Sequence, residues 1–291
     1  MPAIHHQPFQ VRFYECDAYG QMQPINYLRR MQEAAFGASA AVGYDFARYD
    51  QLGYLWLVRE TEIEYLSPLA YGDQVEIKTW VHDFRRFRSR RMYEFWDLNR
   101  GKLAAQASTD WVYVNAQNLR PAAIPEAMQL AFFPEGSPTE RGARDRTSVP
   151  PEPPATAFRL HQSVAWGDID MMWHVNNAVY LSYLQNAEIG LLAACGWPIE
   201  RMQAEDARLV NRQQRLEYRL PATLNNELEI TTWVSGLHPK EVQTHFQISR
   251  AGDQQVLVQA QARCQWADPQ TGESIPIPRD LLTKLSAFRS S

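Results

Sequence analysis

The stretch from Trp166 to Tyr180, WGDIDMMWHVNNAVY, gathers side chains that can act on a carbonyl group. Asp170 can activate a water molecule or attack a carbonyl carbon, and His174 can orient Asp170 or carry a proton near neutral pH. The adjacent Asn176 and Asn177 offer side-chain amides that can hold a water or a substrate. These residue types, placed just ahead of a helix start, predict a site that can polarise a carbonyl oxygen.

A helix must follow this stretch, because apolar residues recur at intervals of three and four: Tyr180, Leu181, Leu184, Ala187, Leu191 and Ala194. Asn176 or Asn177 is the predicted N-cap. The helix start then directs unpaired N–H groups at the site, and the Asn177 amide is the predicted donor to a carbonyl oxygen. A single aspartate before a helix is most often a cap, but the added histidine and asparagines favour a functional site. Asp168 is expected to support the turn.

Composition limits the classes of protein that fit. The 291 residues are 45% hydrophobic and 21% charged, which suffices for one large core or two ordinary ones. The net charge of −4 argues against a nucleic-acid or membrane-surface protein. The opening MPAIHHQPFQ lacks the apolar run of a signal peptide, and no stretch approaches a membrane span, so a cytoplasmic protein is expected. The three scattered cysteines predict free thiols, with neither disulfides nor a metal site.

The chain contains an internal duplication. When residue n is aligned with residue n+153 from Val11 to Pro125, 25 of 115 positions are identical, against roughly 7 expected from ordinary residue frequencies. A segment rich in proline, glycine and charge separates the copies. We therefore predict a first repeat at 1–128, a linker at 129–157 and a second repeat at 158–291.

Both repeats show the same order of elements. A short β-like run (11–14 and 163–166) leads through the aspartate-bearing turn into a long helix that ends near Gly43 or Gly196. Only strand patterns follow, starting with 56–65 and 208–219 and continuing through VEIKTWV and LEITTWV. This order predicts an α+β fold in which an antiparallel sheet wraps around a long central helix in each repeat.

These residues resemble those of a known family. The motif formed by Asp168, Asp170, HVNN at 174–177 and Tyr180 is similar to that of hot-dog-fold thioesterases, and the two repeats resemble the double hot-dog acyl-ACP thioesterases. The resemblance covers nearly all of the chain except its termini and the linker. It implies a tandem hot-dog fold and hydrolysis of fatty acyl thioesters, without a cofactor. The implied substrates are thioesters of acyl carrier protein or coenzyme A, and a homodimer of such chains is left open.

Two departures from the plant acyl-ACP enzymes change the expected chemistry. Met172 stands where those enzymes have an asparagine, and Pro221 and Ala222 stand where they have a glutamate and a cysteine. Neither replacement can take a proton or attack a carbonyl, which excludes a cysteine nucleophile at that position. An Asp/His/Asn site remains, similar to that of simpler acyl-CoA thioesterases. Whether Asp170 attacks the carbonyl or activates water is left open.

Two other functions fit this fold. Hot-dog dehydratases and hydratases also act on acyl thioesters with a histidine and a carboxylate, although their motif lacks the HVNN run. A non-catalytic protein that binds acyl thioesters is the second alternative. Release of a free thiol from an acyl-CoA separates a thioesterase from both.

A cluster of basic residues lies in the first repeat, and five arginines fall within seven positions: Arg85, Arg86, Arg88, Arg90 and Arg91. They form either a solvated strand face or a docking surface for the phosphates of CoA or the acidic face of a carrier protein. The first repeat is also expected to shape the acyl pocket and to contribute Asn26 to substrate binding.

The first repeat is not expected to be catalytic, although Asp17 aligns with Asp170. Gln21 and Gln23 replace His174 and Asn176 there. Pro24 replaces Asn177 and has no backbone N–H to donate.

Overall fold

The computed structural model describes residues 1–136, 150–268 and 272–290. The chain forms two compact units, Met1–Thr147 and Ser148–Ser291. Residues 137–149, the middle of the predicted linker, lie outside the described residues. None of the helices in the described ranges combines the length and hydropathy that crossing a bilayer requires.

The first unit is an antiparallel sheet with three helices. Its strands are β1 (His5–Gln10), β2 (Tyr54–Tyr65), β3 (Gln74–Phe84), β4 (Arg88–Asp97) and β5 (Lys102–Asn115), in the order β1-β3-β4-β5-β2. Its helices are α1 (Pro24–Ala41), α2 (Phe46–Leu52) and α3 (Glu126–Phe132). A 3-10 turn, Phe13–Glu15, connects β1 toward α1.

The second unit repeats this plan. Its strands are β6 (Phe158–Ser163), β7 (Arg208–Tyr218), β8 (Glu227–Leu237), β9 (Glu241–Arg250) and β10 (Val256–Ala267), in the order β7-β10-β9-β8-β6. Its helices are α4 (Val179–Ala194), α5 (Ile199–Ala204) and α6 (Arg279–Leu285), and its 3-10 turns are Trp166–Asp168 and Ser286–Phe288. The strand pairs β1/β6, β3/β8 and β4/β9 coincide residue for residue at the offset of 153. The duplication predicted from sequence is therefore present in the fold.

The predicted long helices and main strands are confirmed, but the first strand of each repeat was placed too late. The predicted runs at 11–14 and 163–166 lie at or beyond the ends of the actual strands β1 and β6, and only Phe13, Tyr14 and Trp166 of these runs fall within the 3-10 turns. The error has a physical cause. β1 is HHQPFQ, an edge strand in which polar side chains occupy positions that face the helix as well as solvent, so apolar alternation is weak.

Helix α3 crosses the predicted end of the first repeat at residue 128 and continues to Phe132. Met128, Phe132 and Phe133 are buried and pack with Val81 and Tyr113 in one hydrophobic cluster of the first unit. Phe132 and Phe133, which fall in the predicted linker, therefore belong to the core of the first unit.

Each long helix packs its apolar face on the sheet of its own unit. α1 contacts β1 and β3, and α4 contacts β6 and β8. The approach is close at Gly190 of α4, where an added Cβ would lie 2.8 Å from the Phe158 ring. Any larger residue at this position would therefore have to displace the Phe158 ring.

A buried polar cluster interrupts the apolar core of the second unit. The Glu188 carboxyl of α4 lies 3.3 Å from the Cys264 Sγ and 3.4 Å from the Asn211 amide nitrogen. Glu188 also lines a cavity of about 10 Å³, whose other walls are mainly apolar, and this is roughly the space that one water molecule needs. Burial away from water raises the pKa of Glu188 to about 7, more than its two hydrogen bonds lower it.

We expect the free energy of unfolding to depend on pH through Glu188. Between pH 4.5, the ordinary pKa of a glutamate, and about pH 7, the folded protein retains a proton on Glu188, whereas the unfolded chain loses it. The stabilisation that this proton gives is therefore fully present below the pKa of Glu188 in the unfolded chain. It is lost as pH rises through the pKa of Glu188 in the folded protein, and the free energy of unfolding falls by about 3 kcal/mol. Glu188→Gln should abolish this decline, so its stability relative to the native chain should rise between pH 4 and pH 8. Urea denaturation across this range measures the effect.

Glu200→Gln, which removes an exposed carboxylate of the same unit, is the matched control and should leave most of the decline in place. Parallel pH profiles for the native chain and Glu188→Gln would contradict the assignment.

Candidate functional site

The predicted site lies in a closed turn between the 3-10 turn at 166–168 and α4. The Asp170 N–H donates to the His174 carbonyl at 3.0 Å, and the Trp173 N–H donates to the Asp170 carbonyl at 3.0 Å. Trp173 has a φ of 62°, in the left-handed region. These bonds fix the backbone on both sides of Asp170.

Three of the four predicted catalytic residues meet at the Asp170 carboxylate. Its Oδ1 accepts the Met172 N–H at 2.8 Å, and its Oδ2 accepts the Asn176 side-chain amide at 3.3 Å. The His174 Nδ1 lies 3.8 Å from Oδ1 and 3.3 Å from the Val175 carbonyl. The Asp170 and His174 side chains are 21% and 22% exposed, so the group is sheltered but reachable by water.

The predicted N-cap is wrong by one or two residues, because the cap of α4 is Ala178 and no side chain caps it. Asn176 instead stabilises the turn before the helix. Its Oδ1 accepts the Ala178 N–H at 3.0 Å, and its carbonyl accepts the Val179 N–H at 2.9 Å. The hydrogen bond from the Ala178 N–H to the Asn176 side chain thus forms a local turn at this position, and the helix begins only after it.

Asn177 lies at the bend between this turn and α4. Its carbonyl accepts the Tyr218 hydroxyl at 3.1 Å. Among the residues that the structure describes, no acceptor takes its backbone N–H. This N–H is consequently uncommitted and sits on a backbone that is held from both sides.

Asp168 supports the turn, as expected. Its Oδ2 accepts the Ala165 N–H at 2.9 Å and the Tyr183 hydroxyl at 2.6 Å. Its carbonyl accepts the Asn176 N–H at 2.9 Å. Asp168 thereby ties the 3-10 turn to the first turns of α4.

The segment after β7 supports the same turn through its backbone. The Val175 N–H donates to the Ala222 carbonyl at 2.9 Å. The Ala222 N–H donates to the Tyr180 hydroxyl at 3.0 Å. Ala222, which was excluded as a chemical group, thus has a structural role that a side-chain motif does not reveal.

The equivalent turn of the first repeat has the same backbone but different contacts. The Asp17 Oδ1 accepts the N–H groups of Tyr19 and Gln21 at 2.9 and 3.0 Å. Gln23, the equivalent of Asn176, donates its amide to the Cys16 carbonyl at 2.8 Å instead of to the carboxylate. Pro24 is the first residue of α1, and the turn therefore lacks the free N–H.

Asn26, which was predicted to bind substrate, is buried in the first unit. Its amide donates to the Glu15 carbonyl at 2.9 Å, and its Oδ1 accepts a bond from Arg29 at 3.3 Å. These contacts link the 3-10 turn of the first repeat to α1 and account for the asparagine without a ligand.

The five predicted carrier-binding arginines divide into two groups. Arg85, Arg86 and Arg88 lie at the hairpin between β3 and β4, where the Arg85 N–H donates to the Arg88 carbonyl at 2.7 Å. Arg86 is exposed, and the Arg85 Nε lies 3.4 Å from Asp83. In the described ranges, no ion pair or hydrogen bond of the Arg86 or Arg88 guanidinium is found.

The other two arginines point into the first unit. Arg90 forms a two-bond ion pair with Asp110, at 3.1 and 3.2 Å. Arg91 is 5% exposed, donates to the Thr79 hydroxyl at 3.4 Å and lies over the Phe132 ring. Burial lowers the pKa of Arg91. Both side chains are thus committed to the fold.

The interaction between Asp168 and Tyr183 was missed from the sequence, although the repeat alignment contained a sign of it. The aligned residues of the first repeat are Glu15 and Arg30, which form an ion pair at 2.8 Å. Each repeat thus has two side chains that can bind each other at the same two aligned positions, and this indicates that the positions are in contact. No signal of this kind points to Tyr218, whose hydroxyl binds a backbone carbonyl.

Within residues 1–136, 150–268 and 272–290, no group of three or more His, Cys, Asp or Glu residues is arranged to hold a metal ion.

Known proteins resemble both the sequence and the fold. A chloroplastic palmitoyl-acyl carrier protein thioesterase of Arabidopsis thaliana is 25% identical over 244 residues, which are 80% of this chain and 56% of the relative. An oleoyl-acyl carrier protein thioesterase of the same plant is 26% identical over 191 residues, 61% of this chain and 53% of the relative. The chain spans about half the length of the curated relatives it matches.

Solved structures support the same fold. The 12:0-ACP thioesterase from Umbellularia californica matches with a TM-score of 0.71 and 19% identity, over 90% of this chain and 94% of that one. An acyl-ACP thioesterase from Bacteroides thetaiotaomicron matches with a TM-score of 0.67 and 18% identity, over 90% and 98% of the two chains. At these identities the likeness concerns the fold alone, and it confirms the expected tandem hot-dog fold.

A family model decides the classification. The model of the thioesterase-like superfamily matches twice, at residues 11–132 and 164–285. The two matches differ by the same 153 residues as the internal repeat, and together they cover most of the chain. This chain therefore belongs to the thioesterase-like superfamily.

Proposed function

We propose that this chain hydrolyses fatty acyl thioesters of acyl carrier protein or coenzyme A at the turn of the second repeat. The observation that carries the proposal is the combination of an accessible carboxylate, Asp170, with the uncommitted Asn177 N–H on one hydrogen-bonded turn. Acyl transfer needs both groups, because a nucleophile must attack the carbonyl carbon while a donor stabilises the negative charge that forms on the carbonyl oxygen.

Asn177 polarises the carbonyl group of the substrate. Its N–H donates to the thioester carbonyl oxygen and stabilises the charge that develops there. Tyr218 holds the neighbouring carbonyl at 3.1 Å, so the peptide has little freedom to turn away. A fixed donor of this type contributes about 3 kcal/mol to transition-state stabilisation.

Asp170 supplies the nucleophilic half. As a general base it takes a proton from a water molecule while the water oxygen bonds to the carbonyl carbon. The C–S bond then breaks, and the thiolate leaves and is protonated. If the carboxylate attacks the carbonyl itself, water hydrolyses the resulting anhydride, and the products are again one carboxylic acid and one thiol.

His174 and Asn176 position the carboxylate. The Asn176 amide donates to Oδ2 and leaves that oxygen able to accept one further bond, and the His174 ring lies beside Oδ1. His174 is also near enough to exchange a proton with the attacking water or the leaving thiol.

We infer that the carrier of the acyl group is recognised in part by the hairpin between β3 and β4. Arg86 and Arg88 are the two members of the arginine cluster whose charge is not committed to a contact within the described residues. Their guanidinium groups suit the phosphates of CoA or carboxylates on a carrier protein. Arg90 and Arg91 are left out of this role because they stabilise the first unit.

Replacing Asp170 with asparagine should reduce kcat at least ~100-fold, because an amide cannot take the proton or attack the carbonyl. The amide keeps the shape of the carboxylate, so the fold and acyl binding should be nearly unchanged. Thiol release from a panel of acyl-CoAs, followed with a thiol-trapping dye, measures turnover, and circular dichroism checks the fold.

Asp17→Asn is the matched control at the equivalent position, and it should lower kcat less than twofold because Gln23 and Pro24 leave that turn without the other groups. Equal losses in the two variants would mean two working sites. A wild-type chain that binds acyl-CoA without releasing thiol would instead favour a hydratase or a non-catalytic binding protein.

Reversing Arg86 and Arg88 to glutamate should raise KM for acyl carrier protein substrates about tenfold with little change in kcat, since only binding is lost. The effect should weaken as salt is added. Arg48→Glu with Arg120→Glu, which changes the charge of exposed positions of the same unit equally, is the control. A KM shift of the same size in both double variants would assign the effect to overall charge and not to the hairpin.

A further inference from the structure

Two large aromatic side chains are exposed beside the candidate site. Trp166 is 66% exposed and Trp173 is 72% exposed, and their ring centroids lie 6.1 Å apart in an edge-to-face arrangement. Met171 and Met172, between Asp170 and Trp173, are also exposed. Exposed apolar groups in a cluster commonly mark a binding surface. We call Trp166 and Trp173 the tryptophan pair.

The backbone at Trp173 is strained by its own side chain. Its φ of 62° lies in the left-handed region, where a bulky residue is unfavourable. The equivalent residue of the first repeat is Gly20, with a φ of 75°. The two turns share a hydrogen bond from this residue to the aspartate carbonyl, 3.0 Å in both repeats. The same turn therefore forms more easily with glycine, and the fold gives no reason for a tryptophan.

The chemistry of a thioester indicates which part of it lies here. The acyl chain is apolar and must be buried away from water. CoA and carrier proteins are large and polar, so the arm that joins the sulfur to either of them must emerge at the protein surface. The tryptophan pair is mostly exposed, and its members lie three and four residues from Asp170 along the chain. This position suits contact with the emerging arm and not with the buried acyl chain.

We propose that the tryptophan pair binds the pantetheine arm of the substrate, an inference that rests on the proposed thioesterase function. The arm carries two amides and a dimethyl group. The dimethyl group can pack on the apolar face of an indole, and an amide carbonyl can accept the indole N–H. The pair binds next to Asp170 and holds the thioester over the turn. It recognises the part that CoA and carrier protein substrates share, whereas Arg86 and Arg88 contact the carrier itself.

Trp173→Gly separates binding from folding. Because glycine relieves the left-handed backbone, the melting temperature should equal or exceed that of the native chain. KM should nevertheless rise about tenfold, with kcat nearly unchanged. The rise should be the same for acyl-pantetheine, acyl-CoA and acyl carrier protein with one acyl chain. Trp173→Phe, which keeps an aromatic ring, should restore most of the affinity.

Phe13→Ala is the matched control. Phe13 is the equivalent of Trp166 in the first repeat, is 81% exposed and packs edge-to-face on Tyr71. Its removal should not change KM on any of the three substrates. A similar KM rise in Phe13→Ala would overturn the assignment, because any exposed aromatic would then have the effect.

The three substrates also distinguish other causes. A KM rise confined to acyl carrier protein would show contact with the carrier's surface, and a rise confined to acyl-CoA would show contact with its nucleotide; either result contradicts the proposal. Calorimetric titration with S-alkyl pantetheine, which cannot be hydrolysed, tests binding without turnover. Tenfold weaker binding by Trp173→Gly supports the proposal even if the native chain releases no thiol, and equal binding overturns it even if thiol is released.

Discussion

The hydrogen bond from the Asp170 N–H to the His174 carbonyl closes the turn on which the candidate site depends. Within the closed turn, each oxygen of the Asp170 carboxylate accepts one hydrogen bond, from the Met172 N–H and from the Asn176 side-chain amide. Three further supports converge on the same backbone, from Asp168, from the Ala222 carbonyl and from the Tyr218 hydroxyl. These bonds place Asp170 and the Asn177 N–H on one hydrogen-bonded segment of backbone, and donors fixed in this way are the kind that lower the barrier of an acyl transfer.

The internal duplication places different side chains on the same backbone. Both repeats have the 3-10 turn, the closed turn with its aspartate and the long helix, and both tie the turn to the segment after the second strand. The first repeat fills the same positions with Gln23, which binds a carbonyl, and Pro24, which lacks a donor. Its Glu15 and Arg30 form an ion pair where the second repeat has a carboxylate and a tyrosine hydroxyl. The two copies thus share the bonds that close the turn and differ in the side chains around the aspartate.

Much of this could be predicted from the sequence, since periodic apolar positions specify α1, α4 and the inner strands through burial. The edge strand β1 was misplaced because its polar side chains hide the apolar alternation. The start of α4 was misplaced because Asn176 bonds locally before the helix begins. The residues around Asp170 were found as a motif. The supports from Tyr218 and Ala222 were not, because both act through backbone atoms of residues far apart in the chain, whose partners no side-chain pattern encodes. The contact of Asp168 with Tyr183 was visible only in the comparison of the two repeats.

The most direct test of this account is the position of a substrate carbonyl in a crystal of the native chain with a ketone analogue of an acyl thioester, in which a methylene replaces the sulfur. We expect one analogue per chain, with its carbonyl oxygen within hydrogen-bonding distance of the Asn177 N–H and its carbonyl carbon facing the Asp170 carboxylate. An analogue whose carbonyl binds at the Asp17 turn of the first repeat, or binds in the second repeat away from Asn177, would contradict the account.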